Sequence, residues 1–203
     1  MLSVIVQMDN EQFETLASFP TIWQSAARRF ILAANALYER YEDDWYDSKG
    51  NPLHHPDDAY EIRVDIKQVL LLYAYGVENL VKGTLIAKGI LPAVKDRKLN
   101  RQLAQHKLRQ LFRLVKVATS QAEDEILETL EIIITSGKYP IGKSAADSGP
   151  YGYTIPDIVL GVGDLLERLE VELRSAYPSA KPPIELLLLG RKNKRLPSIR
   201  SGP

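Results

Sequence analysis

Residues 73–89 read YAYGVENLVKGTLIAKG. Extended backwards, this stretch is the middle of a helix from about residue 60 to residue 88, halted by Gly89 with Pro92 beyond. Ile62, Ile66, Val69, Tyr73, Val77, Leu80 and Thr84 recur at helical spacing and form one apolar stripe. Gly76 and Gly83, seven residues apart, flank it. A helical glycine costs about 1 kcal/mol against alanine, so the expected return is the close approach of a neighbouring helix. Leu71, Leu72 and Ile86 lie off the stripe, so the helix is wet on little of its surface. It is expected to be the central element of an all-α fold.

Working outward, most other periodic segments also predict helices. A short one covers residues 10–19 and stops at Pro20. Thr21 then caps a long helix over residues 22–41, with Gln24 as the return half of a capping box. An acidic, turn-rich loop follows, EDDWYDSKGNPLHHPDD. Residues 93–100 read as a basic linker. Asn100 then caps a helix over residues 100–118 that buries Leu103, Leu108, Leu111, Leu114 and Val115. Ser120 and Glu123 form a capping box for the next helix, which ends at Gly137. Thr154, with Pro156 and Asp157 in the first turn, opens the last one, through about residue 177. The expectation is an antiparallel helical bundle of about four main helices plus peripheral ones. A single domain would cover residues 1–178, and residues 179–203 would be a mobile Pro-rich, basic tail.

Composition narrows the chemistry. The 203 residues carry 26 Lys and Arg against 26 Asp and Glu, so any attraction to a polyanion must come from local clusters. There is no cysteine, which excludes thiol nucleophiles, disulfides and cysteine-ligated metals. The first residues carry no basic leader, and the longest apolar runs, VLLLYAYGV and IELLLLG, are short for a bilayer span. The expected place is the cytoplasm, with no membrane contact. His54 and His55 in HHPDD are adjacent and point apart in a loop, and no second histidine-rich segment completes a metal site. Glycine-rich phosphate loops, zincin helices and nucleophile elbows are not found.

The chemistry-bearing stretch is RQLAQHKL, residues 101–108, in which four residues separate Arg101 from His106. Together with ENLVKG on the central helix and GKYP after the following one, it resembles the HEPN superfamily of small bacterial helical bundles, over roughly residues 60–145. Members with this pair are typically metal-independent ribonucleases, often toxins or phage-defence effectors, that dimerise so that two motifs face a shared cleft. The resemblance implies His106 as acid and base, Arg101 as phosphate clamp, RNA or a nucleotide as ligand, no cofactor, a homodimer, and an antitoxin or other partner protein. Gln102 departs from the asparagine or aspartate that follows the arginine in many active members. The chemistry is sound: imidazole titrates near neutrality, and a guanidinium donates a planar fork to two phosphate oxygens.

Glu78 and Asn79 are polar within an apolar helix. They would either orient His106 and contact substrate, or serve structure, Glu78 pairing with Lys82 one turn on and Asn79 bonding across a helix interface. Lys107 and Arg109 belong to a basic cluster that begins at KDRKLNR, and Tyr139 in GKYPIGK would border a cleft. On a continuous helix, five steps turn Arg101 and His106 about 140° apart. They converge only if Arg101 sits in the first turn or the cleft is shared by two chains. The second reading is a non-catalytic HEPN-like module that binds nucleotide, RNA or a partner protein.

Overall fold

The computed structural model describes residues 8–45, 59–136 and 155–180. Among them are six helices, α1 (Asn10–Ser18), α2 (Pro20–Trp45), α3 (Ala59–Ala87), α4 (Leu108–Val115), α5 (Gln121–Ser136) and α6 (Ile155–Ala176), and one small hairpin, β1 (Val94–Lys95) with β2 (Lys98–Leu99). The fold is all-α, as expected from the sequence. The acidic loop after Trp45, Tyr139 and the C-terminal tail lie outside the described residues.

α3 is central and packs on α2, α4, α5 and α6. The α2–α3 seam is thin because its residues are small: Ala27, Ala34 and Ala74 are buried there. The expected role of the glycines holds. A Cβ at Gly76 would sit 2.7 Å from Ile31 Cγ1, and one at Gly83 would sit 2.9 Å from Trp23 Cβ and 3.2 Å from the Pro20 carbonyl oxygen. Asn35 accepts a 2.6 Å hydrogen bond from the Tyr73 hydroxyl. As α3 numbers rise through 73, 76 and 83 their α2 partners fall through 35, 31 and 23, so the two helices are antiparallel. α5 and α6 run the same way, with Glu123 on Arg168 and Ile126 on Gly161. Buried side chains of α2 to α6 form one cluster.

α3 stops as expected. Gly89 adopts φ +66°, its N–H bonds the Ile86 carbonyl, and the Ile90 N–H bonds that of Leu85, which is the paired closure of a left-handed C-terminal cap. The Ser120–Glu123 capping box is also present, with bonds of 2.7 and 3.2 Å. α1 stops before Pro20 as expected, but α2 begins at Pro20, where the missing N–H is no loss, so Thr21 lies inside the helix and is not its cap. Trp23 Nε1 reaches back to the Ala17 carbonyl, 2.8 Å away, and ties α1 to α2. By length and composition residues 67–87 could cross a bilayer, contrary to the expectation, yet 72% of that window is buried inside the protein.

The largest correction concerns residues 93–108. The basic linker is a hairpin with Val94 opposite Leu99 and Lys95 opposite Lys98. Its two central residues, Asp96 and Arg97, have φ +53° and +58°, a turn that usually takes Asn-Gly. Holding arginine there costs about 1 kcal/mol. The helix expected over residues 100–118 is cut short. Asn100 accepts N–H bonds on its carbonyl from Leu103 and Ala104, closing one turn, and α4 begins only at Leu108. The cause lies in the apolar residues. Leu103 and Leu108 are five positions apart and would diverge by about 140° on one helix, yet both are fully buried. Breaking the helix between them lets each reach the core.

Candidate functional site

His106 sits in that break, and so is not helical, contrary to expectation. The buried side chains of Leu103 and Leu108 hold the chain on either side. Its imidazole meets α3 at Glu78: Nδ1 lies 3.1 Å from Oε1 and 3.0 Å from Oε2. Glu78 is only 3% exposed, and its carboxylate also pairs with the ammonium of Lys82, itself 5% exposed, one turn along α3. Both roles weighed for Glu78 are thus realised geometrically in one carboxylate. Removing one member of such a buried pair costs about 3–5 kcal/mol.

The proton on the imidazole follows from this geometry. An ionised carboxylate only accepts hydrogen bonds, so Nδ1 carries the hydrogen and donates it to Glu78. Nε2 makes no hydrogen bond with a described residue, and the side chain is 48% exposed. A buried carboxylate therefore fixes the ring's tautomer and orientation while its other nitrogen remains available to a ligand. This is the relation by which a carboxylate prepares a histidine for proton transfer.

The other expected residues divide. Asn79 is half-buried and turns back on its own helix, Nδ2 donating to the Tyr75 carbonyl at 2.8 Å; it does not bond across an interface. Arg109 is occupied by α5, with Nη1 3.2 Å from Glu128 and Nε 3.5 Å from Glu131. Its backbone N–H is received by Glu131 at 2.8 Å, so that carboxylate closes the N-terminus of α4. Arg109 therefore serves the α4–α5 contact. Lys107 and Arg101 are exposed, and neither side chain has a hydrogen bond or ion pair with a described residue. Five chain steps separate Arg101 from His106, which keeps their Cα atoms within about 18 Å. Tyr139 lies outside the described residues, as do His54 and His55.

Two residues escaped the sequence reading. Glu131 acts across 22 positions and gives no local signal. Asn100 was read as a helix cap and does more: buried, it donates through Nδ2 to the Pro92 carbonyl at 3.0 Å and accepts the Gln102 N–H on Oδ1 at 3.0 Å, while its own N–H bonds the Ala93 carbonyl at 2.9 Å. It clasps the base of the hairpin to the turn that carries Arg101. An open depression of about 640 Å³ lies between α1 and the hairpin, bordered by Glu14, Ile86, Leu91 and Arg97; His106 does not line it. No group of three metal-ligating side chains occurs among the described residues. No protein-family model, curated protein or solved structure matches this chain.

Proposed function

We propose that this chain is a HEPN-like helical protein that cleaves RNA without a metal ion. The observation that carries the reading is the half-exposed imidazole of His106, held through Nδ1 by the buried carboxylate of Glu78. Nε2 takes the proton of a ribose 2′-hydroxyl as its oxygen attacks the adjacent phosphorus. The bond from phosphorus to the 5′-oxygen breaks, leaving a 2′,3′-cyclic phosphate. The imidazolium, stabilised by Glu78, returns a proton to the departing 5′-oxygen. Arg101 donates to the phosphate oxygens and offsets the charge that builds there. In a homodimer with a shared cleft, two such sets act on one strand. A toxin or phage-defence role follows, with an antitoxin protein covering the cleft.

The test is incubation of the purified chain with labelled RNA in EDTA. Cleavage is expected, and His106→Ala should lower its rate by about 10²–10⁴, the usual share of a general acid–base group. Equal inertness of both proteins refutes the nuclease. The exposed cations Lys95, Arg97 and Lys98 would serve equally a second reading, a module that binds RNA or nucleotide without cleaving it; retention of intact RNA would establish that reading. Growth arrest on expression, relieved by His106→Ala, tests the toxin role.

A further inference from the structure

We infer that the β1–β2 hairpin is a phosphate grip that holds a single RNA strand for His106, an inference that rests on the ribonuclease reading above. Three observations carry it. The first is an imbalance of pairing. From residue 93 to residue 107 the chain has five Lys and Arg and one acidic residue, Asp96. Lys95, Arg97, Lys98, Arg101 and Lys107 are all exposed, and none of their side chains makes an ion pair or hydrogen bond with a described residue. Elsewhere Lys82, Lys88, Arg109 and Arg168 each sit against a carboxylate; Arg29, Arg113 and Lys116 are also exposed without a side-chain partner among the described residues, but they are scattered and not gathered in one short segment.

The second observation is local discord. Lys95 and Lys98 stand directly opposite each other across the hairpin, a like-charged pair that destabilises a two-stranded ladder. Arg97 occupies a left-handed position, φ +58°, where glycine is the easy choice. Backbone strain and charge repulsion in so few residues mark a segment shaped by a ligand, and a polyanion relieves the repulsion. The third is placement. Asn100 bonds Pro92 and Ala93 at the hairpin base and Gln102 in the turn beyond, so the cations and the chain leading to His106 share one anchor. Residues 93–105 contain no Phe, Tyr, Trp or His, so the hairpin offers bases no aromatic ring to stack on. The grip is to the backbone and tolerant of sequence.

The experiment measures fluorescence anisotropy of a short fluorescein-labelled RNA of mixed sequence against the full chain carrying His106→Ala, over a KCl series. Combining Lys95→Gln, Arg97→Gly and Lys98→Gln should weaken binding at least about tenfold and flatten the slope of log affinity on log salt by about 2, three contacts at roughly 0.7 each. The melting temperature should hold or rise, because glycine relieves residue 97. With His106 restored, the triple variant should raise KM for long RNA and leave kcat, and the cleavage of a dinucleotide, unchanged. Unaltered affinity and slope would overturn the grip, as would binding of anionic phospholipid vesicles in place of RNA. Hairpin-dependent binding without any cleavage keeps the grip and defeats the nuclease reading. His106-dependent cleavage with hairpin-independent binding does the reverse.

Discussion

The α2–α3 seam and the segment from residue 93 to residue 107 are built on opposite terms. In the seam every local choice agrees with the packing: glycines where a Cβ would collide, alanines where backbones approach, a tyrosine hydroxyl met by an asparagine. In the segment local choices conflict. An arginine is held at positive φ, lysines face each other, and a helical turn is started and abandoned. Folded chains are consistent across levels except where function demands otherwise. The two regions meet where Glu78, from the well-packed element, contacts His106, from the discordant one, and this contact is where the chemistry is proposed.

Five substitutions break or sharpen that contrast. The largest effect on stability is expected for Lys82→Met, which leaves the Glu78 carboxylate buried without its ammonium partner. Urea denaturation should read a loss of about 3 kcal/mol, much of it regained when Glu78→Leu is added. Gly76→Ala drives a Cβ into Ile31 and should cost about 1–3 kcal/mol. Gly161→Ala, which meets only the tip of the Ile126 side chain, should cost less by the same measurement. Asn100→Ala removes two side-chain hydrogen bonds, about 1 kcal/mol each. Amide exchange should then quicken at Leu103 and Ala104, while α2 and α3 stay protected. The smallest change belongs to Arg97→Gly, a gain of a few tenths to about 1 kcal/mol. A loss there would mean that the arginine is seated by contacts within the protein, and would weaken the contrast.

How much was legible follows the same division. The central helix, its glycines, its stop at Gly89 and the Ser120–Glu123 box were readable because periodicity and capping are local. The stop of α1 before Pro20 was readable, but Thr21 was misread as the cap of α2 because proline marks both the stop of one helix and the first turn of the next. The hairpin was missed because its turn carries Asp-Arg where the usual signal is Asn-Gly. The break before α4 was visible in principle: Leu103 and Leu108 cannot face one core from one helix. The partnership of His106 with Glu78 spans 28 positions. Glu78, polar in the apolar middle of its helix, left two partners open, His106 and Lys82, and its carboxylate meets both.

α4 has eight residues, and a helix of that length does not persist in water unaided. Its first turn is closed by a carboxylate that lies on α5, so it takes shape only after α5 has been synthesised and folded back. A ribosome that has translated as far as residue 120 has made every residue assigned to RNA cleavage, yet the loop bearing His106 still lacks the brace that sets it. Under the ribonuclease proposal, emergence from the exit tunnel would act as a timer, separating synthesis of His106 and Glu78 from the moment they could act on the message that encodes them.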